Sequence, residues 1–192
     1  ANNNFLCLLI YGPNEGLIRE RINKIVKYYS SEQEYELLRL SGKELDEDNY
    51  SIDSYLKTVS MFSKGKVLVI DTLKDKHLPI LEPIITEGPS SSILLIKSES
   101  LTKSSKIRKY FETHKLCYAL ACYEDDAKSL MQQIENFVKK NNLDINRDIK
   151  NYLMQSLSND RMINNNELEK INLYIAKSDK ELSLDDIKFI MN

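Results

Sequence analysis

Residues 5–19 read FLCLLIYGPNEGLIR, and this stretch decides the fold. Its first part is apolar without interruption up to Ile10, as in a strand that is buried on both faces. Residues 11–16 are rich in turn-forming types, and from Ile18 onward apolar residues recur at three- and four-residue spacing. That spacing is typical of an amphipathic helix. The stretch therefore predicts a strand, a glycine-containing loop and a helix in succession.

Phosphate-binding folds begin in this order, because loop N–H groups and the following helix N-terminus can hold an anion. A nucleotide-binding P-loop also needs Gly, four residues and then Gly-Lys-Ser/Thr. Counted from Gly12, the second glycine is due at Leu17 and the lysine at Ile18, but Gly16 comes one place early. We interpret the segment as a degenerate nucleotide loop that does not bind ATP, and we expect no cofactor. Its residues are Gly12, Pro13, Asn14, Glu15 and Gly16.

Further apolar runs alternate with helical patterns as far as Cys122. The run at residues 67–70 ends in Asp71, where a nucleotide hydrolase would have a second carboxylate next to it to hold Mg²⁺. Thr72 stands there instead. The alternation predicts a parallel sheet with helices on both faces, and the later residues read as helical throughout. We place the domain boundary near Asn141, giving an α/β domain at 1–140 and a helical domain at 141–192.

Composition narrows the function classes. The 192-residue chain has a net charge of −2, which argues against a surface built entirely for nucleic acid. Its apolar runs are too short for a membrane span, so we expect a cytoplasmic protein. The three cysteines have no CxxC spacing and the two histidines are isolated, so we expect neither a disulfide nor a metal site. No spacing of side chains nominates a catalytic centre.

A basic segment, LTKSSKIRKYF at residues 101–111, is predicted to be a capped helix. Its cations can face DNA, face a neighbouring protein subunit or simply be solvated, and the sequence leaves all three open. They are Lys103, Lys106, Arg108 and Lys109.

Five separated segments carry a resemblance to a known family: residues 11–21 (YGPNEGLIRER), 60–62 (SMF), 101–111, 122–127 (CYEDDA) and 167–170 (ELEK). In this order and spacing they resemble the delta subunit of the bacterial DNA polymerase III clamp loader. The resemblance implies a P-loop NTPase-like (AAA+-type) α/β domain and a small all-helical lid domain. It also implies a C-terminal collar domain, which we expect to be absent from this chain.

The resemblance also implies a function without catalysis. Such a subunit of the polymerase (nucleotidyltransferase) holoenzyme binds and opens the sliding clamp, the beta subunit, for loading onto primed DNA, and does not hydrolyse ATP itself. Its other partners are the remaining loader subunits, reached mainly through the collar. The clamp is gripped by a segment ending in Ser-Leu-Phe, which corresponds here to Val59, Ser60, Met61 and Phe62. Lys57 stands where clamp-binding peptides often have Gln.

Two other classes of function stay open at this point. The first is an active P-loop nucleotide-binding enzyme, which binding of Mg·ATP would reveal. The second is a DNA-binding protein with no clamp partner, suggested by the basic segment, which clamp affinity would exclude.

Overall fold

The computed structural model describes residues 6–46, 52–58, 62–176 and 182–191. The chain divides into two compact units, Ala1–Cys122 and Tyr123–Asn192. The sequence-based boundary between residues 140 and 141 therefore falls later than the division by packing. The reason is that the helix Ala127–Lys140 contributes Leu130 and Ile134 to the hydrophobic core of the second unit.

The first unit alternates strands and helices along the chain. Its strands are β1 (Leu6–Tyr11), β2 (Tyr35–Ser41), β3 (Gly65–Asp71), β4 (Ser92–Ser98) and β5 (Cys117–Ala121). Its helices are α1 (Glu15–Lys27), α2 (Gly42–Asp46), α3 (Ile52–Lys57), α4 (Leu78–Glu87) and α5 (Lys106–Thr113). A π-helical turn, Tyr28–Glu32, extends α1, and a 3-10 turn, Asp75–His77, precedes α4.

The five strands form a parallel sheet in the order β2-β3-β4-β1-β5. Because side chains alternate across a strand, β3 sends Val67 and Val69 to one face and Leu68 and Ile70 to the other. The first face packs against α1, and the second packs against α3, α4 and α5. The parallel sheet with helices on both faces, which the apolar runs predict, is confirmed.

The second unit is helical, with α6 (Ala127–Lys140), α7 (Arg147–Ser156), α8 (Arg161–Ile175) and α9 (Leu184–Met191). Each helix gives at least one buried residue to a single core, for example Ile134, Leu153, Ile171 and Ile187. A capping box opens α9, since Ser183 N donates to Asp186 Oδ2 at 3.0 Å and Asp186 N donates to Ser183 Oγ at 3.1 Å.

Across the described residues, no helix combines the length and apolar character needed to cross a membrane.

Candidate functional sites: the β1–α1 loop and the α3–β3 connection

The β1–α1 loop is only three residues long, because β1 ends at Tyr11 and α1 begins at Glu15. Gly12 has a φ of +142°, and a Cβ built on it would lie 2.1 Å from the carbonyl oxygen of Cys122. No L-residue with a side chain fits that position without moving the backbone. The glycine therefore permits close approach of the chain that leaves β5.

Asn14 caps the N-terminal end of α1. Its side chain is buried, and its Oδ1 accepts a hydrogen bond from Leu17 N at 3.0 Å. Its backbone N–H donates to Cys122 O at 3.2 Å, while Cys122 N donates to Tyr11 O at 2.7 Å. A helix N-terminus offers an anion its unpaired N–H groups, and here the amide of Leu17 is already satisfied by the cap.

A carboxylate also occupies the first turn of α1. Glu15 Oε1 lies 3.5 Å from Nζ of Lys97, which is on β4. An acidic side chain at this place stabilises the helix dipole and opposes the approach of a phosphate. Gly16 is buried inside α1 rather than in the loop, so the early second glycine belongs to the helix.

At the end of β3, a single carboxylate stands where a nucleotide hydrolase would have two in succession. Asp71 is the last residue of the strand, and Thr72 follows with a φ of +61°. That conformation is unusual for a β-branched residue. Thr72 N donates to Lys97 O at 3.0 Å, which continues the β3–β4 pairing past the strand. Among the described residues, no group of three or more potential ligands is arranged to hold a metal ion.

The segment predicted from the resemblance to bind the clamp, residues 59–62, falls in the connection between α3 and β3. Val59, Ser60 and Met61 fall outside the described residues. The side chain of Phe62 is described and is 96% exposed. Single exposed apolar side chains are common on protein surfaces, so this exposure makes Phe62 accessible to a partner without assigning one.

Lys57, at the position where clamp-binding peptides often have Gln, is engaged within the first unit. Its Nζ lies 2.6 Å from Glu87 Oε2 and 2.9 Å from Asp53 Oδ1. The hydrogen bond to Glu87, followed by that to Asp53, raises the pKa of Lys57 above its ordinary value. The ammonium group therefore ties the end of α3 to the end of α4.

The four cations of the basic segment separate into two kinds. Lys103, Lys106 and Lys109 are exposed. Arg108 has a side chain only 16% exposed, with Nε 2.8 Å from Glu112 Oε1 and Nη1 donating to Leu101 O at 3.1 Å. Its guanidinium also lies over the ring of Tyr11, 5.2 Å from the centroid. The arginine is thus used inside the first unit, whereas the lysines are accessible to a partner.

Sequence reasoning missed two contacts near these sites. Asp75 caps α5, because its Oδ1 accepts from Ser105 Oγ at 2.8 Å and from Ile107 N at 3.1 Å. Lys66, next to the glycine that starts β3, is buried, and its ammonium donates to the carbonyl of Tyr55. Both contacts join residues that are distant in sequence, so no local pattern indicates them.

Comparison with known proteins decides the family. The family profile described as "DNA polymerase III, delta subunit" matches residues 8–122 of the chain. The chain belongs to the DNA polymerase III delta subunit family. This confirms the resemblance drawn from the five sequence segments.

A relative of the delta family supports the same assignment. The chain is 24% identical over 180 residues to a protein of Rickettsia prowazekii (strain Madrid E) named "Probable DNA polymerase III subunit delta". The alignment covers 94% of this chain and 54% of that relative, so the chain spans about half of its length.

Solved structures confirm the P-loop, AAA+-type fold of this delta family member. The Bacillus subtilis DNA clamp loader delta protein (YqeN) matches with a TM-score of 0.61 at 16% identity, covering 95% of this chain and 57% of that one. The Thermotoga maritima RuvB Holliday junction branch migration motor matches with a TM-score of 0.59 at 17% identity, covering 96% and 60%. At these identities the likeness concerns the fold alone.

Proposed function

We propose that this chain binds the sliding clamp through residues 59–62 and helps to open it for loading onto primed DNA, without hydrolysing ATP. The observation that carries the proposal is Phe62, which is 96% exposed at the position where the family resemblance places the clamp-gripping segment. Met61 is assigned beside it from the resemblance.

Exposure of Phe62 gives the contact its energy. Burying a phenylalanine side chain is worth about 1.5–3 kcal/mol, which corresponds to roughly 10- to 100-fold in affinity. Aromatic anchors that enter a pocket supply most of the energy of many interfaces. A second apolar side chain at Met61 would add a flexible neighbour that adapts to the shape of the same pocket.

Clamp opening follows from binding only if the chain distinguishes two states of the clamp. A ligand shifts a conformational equilibrium by the difference between its affinities for the two states. In the proposed mechanism, Met61 and Phe62 insert into one clamp protomer near its interface with the next protomer. They bind more tightly when that interface is open.

The β1–α1 loop supports the part of the proposal that concerns ATP. The loop lacks the Lys and the hydroxyl that a nucleoside triphosphate with Mg²⁺ requires. It is also only three residues long, its helix N-terminus is capped by Asn14, and the carboxylate of Glu15 repels a phosphate. Addition of Mg·ATP should therefore leave the melting temperature unchanged. A ligand at 100 times its dissociation constant would stabilise the chain by about 2.7 kcal/mol, so a rise of several degrees would contradict this part.

The remaining partners are proposed on the family alone. They are the other clamp-loader subunits and primed DNA within the assembled loader. In that complex the chain would be a non-catalytic member of the polymerase holoenzyme, and contact with the other subunits would depend mainly on a collar domain.

Calorimetric titration with the cognate sliding clamp tests the proposal. We expect binding in the micromolar range or tighter, weakened at least tenfold by Phe62→Ala and further by Met61→Ala/Phe62→Ala. Phe189→Ala is the matched control, because Phe189 is 81% exposed but lies on α9 in the second unit. Clamp binding that survives the Phe62 substitution would move the contact elsewhere. No binding by the folded wild-type chain would overturn the proposal.

A further inference from the structure

Lys66 is an unusual residue for its place in the sheet. It lies in β3, paired with Glu36 of β2 on one side and Ser92 of β4 on the other, and it is only 5% exposed. Burying an ammonium group is costly unless hydrogen bonds or other charges compensate for the lost hydration. Its partners should therefore explain why a lysine occupies this position.

Both partners of the Lys66 ammonium belong to one residue of α3. Nζ donates to the backbone carbonyl of Tyr55 and lies 4.3 Å from the centroid of the Tyr55 ring. Tyr55 is in the last turn of α3, where helix carbonyls have no partner within the helix. A cation near the C-terminus of a helix also interacts favourably with the helix dipole.

The contact joins the two ends of the connection that carries Phe62. Tyr55 precedes this connection and Lys66 follows it, 11 positions later in the chain. On the helix side, Thr58 N and Oγ1 donate to Ser54 O at 3.0 and 2.6 Å, which ends α3 in an ordered turn.

On the strand side, the connection is fixed to neighbouring backbone. Lys64 N donates to Glu34 O at 3.2 Å, and Lys66 N donates to Ser91 O at 3.0 Å. Lys66 thus lies on a rigid strand, and its side chain reaches across to a short helix. The remaining attachment of that helix to the core includes Ile52 and Leu56.

We propose that Lys66 is a positioning residue for clamp binding, which holds α3 so that Phe62 is presented from two fixed ends. This inference rests on the proposed clamp-binding function. Fixing a binding segment before association reduces the entropy lost on binding and increases affinity without any new contact to the partner. Lys66 itself is buried and does not touch the clamp.

Substitution of Lys66 by Met keeps the apolar stem and removes the ammonium group. In titrations with the sliding clamp we expect Lys66→Met to weaken binding by about fivefold or more, through lost preorganisation. Lys64→Met is the matched control, because Lys64 lies in the same connection and forms an exposed ion pair with Glu34 at 2.8 Å. It should stay within about twofold of wild type.

A second control separates positioning from general loss of stability. Val69→Ala removes two methyl groups from the core of the same strand and destabilises the first unit, but it should leave clamp affinity unchanged while the chain is folded. Equal losses of affinity in Val69→Ala and Lys66→Met would overturn the positioning role. If Lys66→Met does not fold, Lys66→Gln, which is shorter and uncharged, is held to the same fivefold expectation.

Amide hydrogen exchange tests the Lys66–Tyr55 contact in the chain alone, without the clamp. Lys66→Met should speed exchange of the amides at residues 56–58 and leave those of α5 unchanged. Clamp binding that depends on Phe62 but stays within twofold in Lys66→Met would refute the positioning role and leave the proposed function standing. If wild type does not bind the clamp, the proposed function fails. Separately, exchange at residues 56–58 that is the same in Lys66→Met as in wild type would refute the role of the Lys66–Tyr55 contact in holding α3.

Discussion

Nη1 of Arg161 donates a hydrogen bond to Oδ1 of Asp125 at 2.8 Å, and the Asp125 side chain is 2% exposed. This pair joins the start of α8 to the residues just before α6. Removal of one partner from a buried ion pair leaves the other charge uncompensated, at a cost of about 3–5 kcal/mol.

We therefore expect Arg161→Met to lower the free energy of unfolding of the second unit by about 3 kcal/mol or more, measured by urea titration. Lys150→Met is the matched control, because the pair of Lys150 with Glu135 at 3.0 Å is on the surface of the same unit. Its effect should stay below about 1 kcal/mol. Equal losses of unfolding free energy in the two variants would show that the buried Arg161–Asp125 pair stabilises the unit no more than a surface pair does.

Gly12 predicts a second stability effect. Gly12→Ala places a Cβ against the carbonyl of Cys122 in a backbone conformation that L-residues avoid, so we expect a loss of about 2 kcal/mol or more in thermal unfolding. Pro13→Ala, at an exposed position of the same loop, is the comparison and should cost less than about 1 kcal/mol. A Gly12→Ala variant as stable as wild type would mean that the loop relaxes away from Cys122 freely.

Asp75 predicts a pH dependence of stability. The backbone N–H groups of Lys106 and Ile107 lower the pKa of its carboxyl group below the ordinary range. A depressed folded-state pKa means that the contribution is present above the unfolded value of about 3.9 and is lost as pH falls through the folded value. Asp75→Ala should cost about 1 kcal/mol at pH 7, as for other lost helix caps.

The difference between Asp75→Ala and wild type should shrink in urea titrations as the pH is lowered from about 5 towards 3. Glu99→Ala, a neighbouring exposed carboxylate, provides the control. A difference that stays constant over this pH range would mean that the ionised carboxylate is not what stabilises α5.

Replacement of the exposed lysines in the basic segment tests whether this segment contacts DNA. If Lys103, Lys106 and Lys109 touch phosphates, their triple replacement by Glu weakens DNA binding and reduces the slope of log K against log salt by about 2.7. Lys139→Glu/Lys140→Glu on α6 is the control for net charge. If wild type shows no salt-dependent DNA binding, contact of the segment with DNA is refuted for this chain, and contact with a neighbouring subunit or simple solvation stays open.

The sheet was predictable because its central strands are apolar on both faces. The runs at residues 67–70 and 93–96 are buried throughout, and no amphipathic alternative competes with a strand there. The order of strand, loop and helix at the start of the chain was predictable for a related reason, since the apolar run, the glycine and the helical spacing are all local in sequence. Local chemistry of this kind leaves a signal in a single sequence.

Contacts between distant residues were not predictable. Asp125 and Asp126 look equivalent as helix caps, yet Asp126 caps α6 by accepting from Ser129 N at 2.7 Å, while Asp125 pairs with Arg161. Lys66 looks like a surface charge at the start of a strand. The polar residues after α6 suggest a domain boundary near Asn141, although α6 itself packs with the second unit.

The contacts of Cys122 with the β1–α1 loop have a consequence for how this fold tolerates sequence divergence. Cys122 meets the loop through its backbone N–H and carbonyl, and Gly12 takes part by having no side chain. The two hydrogen bonds therefore do not depend on the side chain at position 122, whereas any side chain at position 12 would disturb them. The Cys122 side chain is constrained separately, because it is buried and its Sγ accepts from Arg21 Nη1 at 3.1 Å. The backbone of Cys122 also sets a minimum length for the first unit. A truncation after Ala121 would remove both hydrogen bonds, and one after Cys122 would retain them.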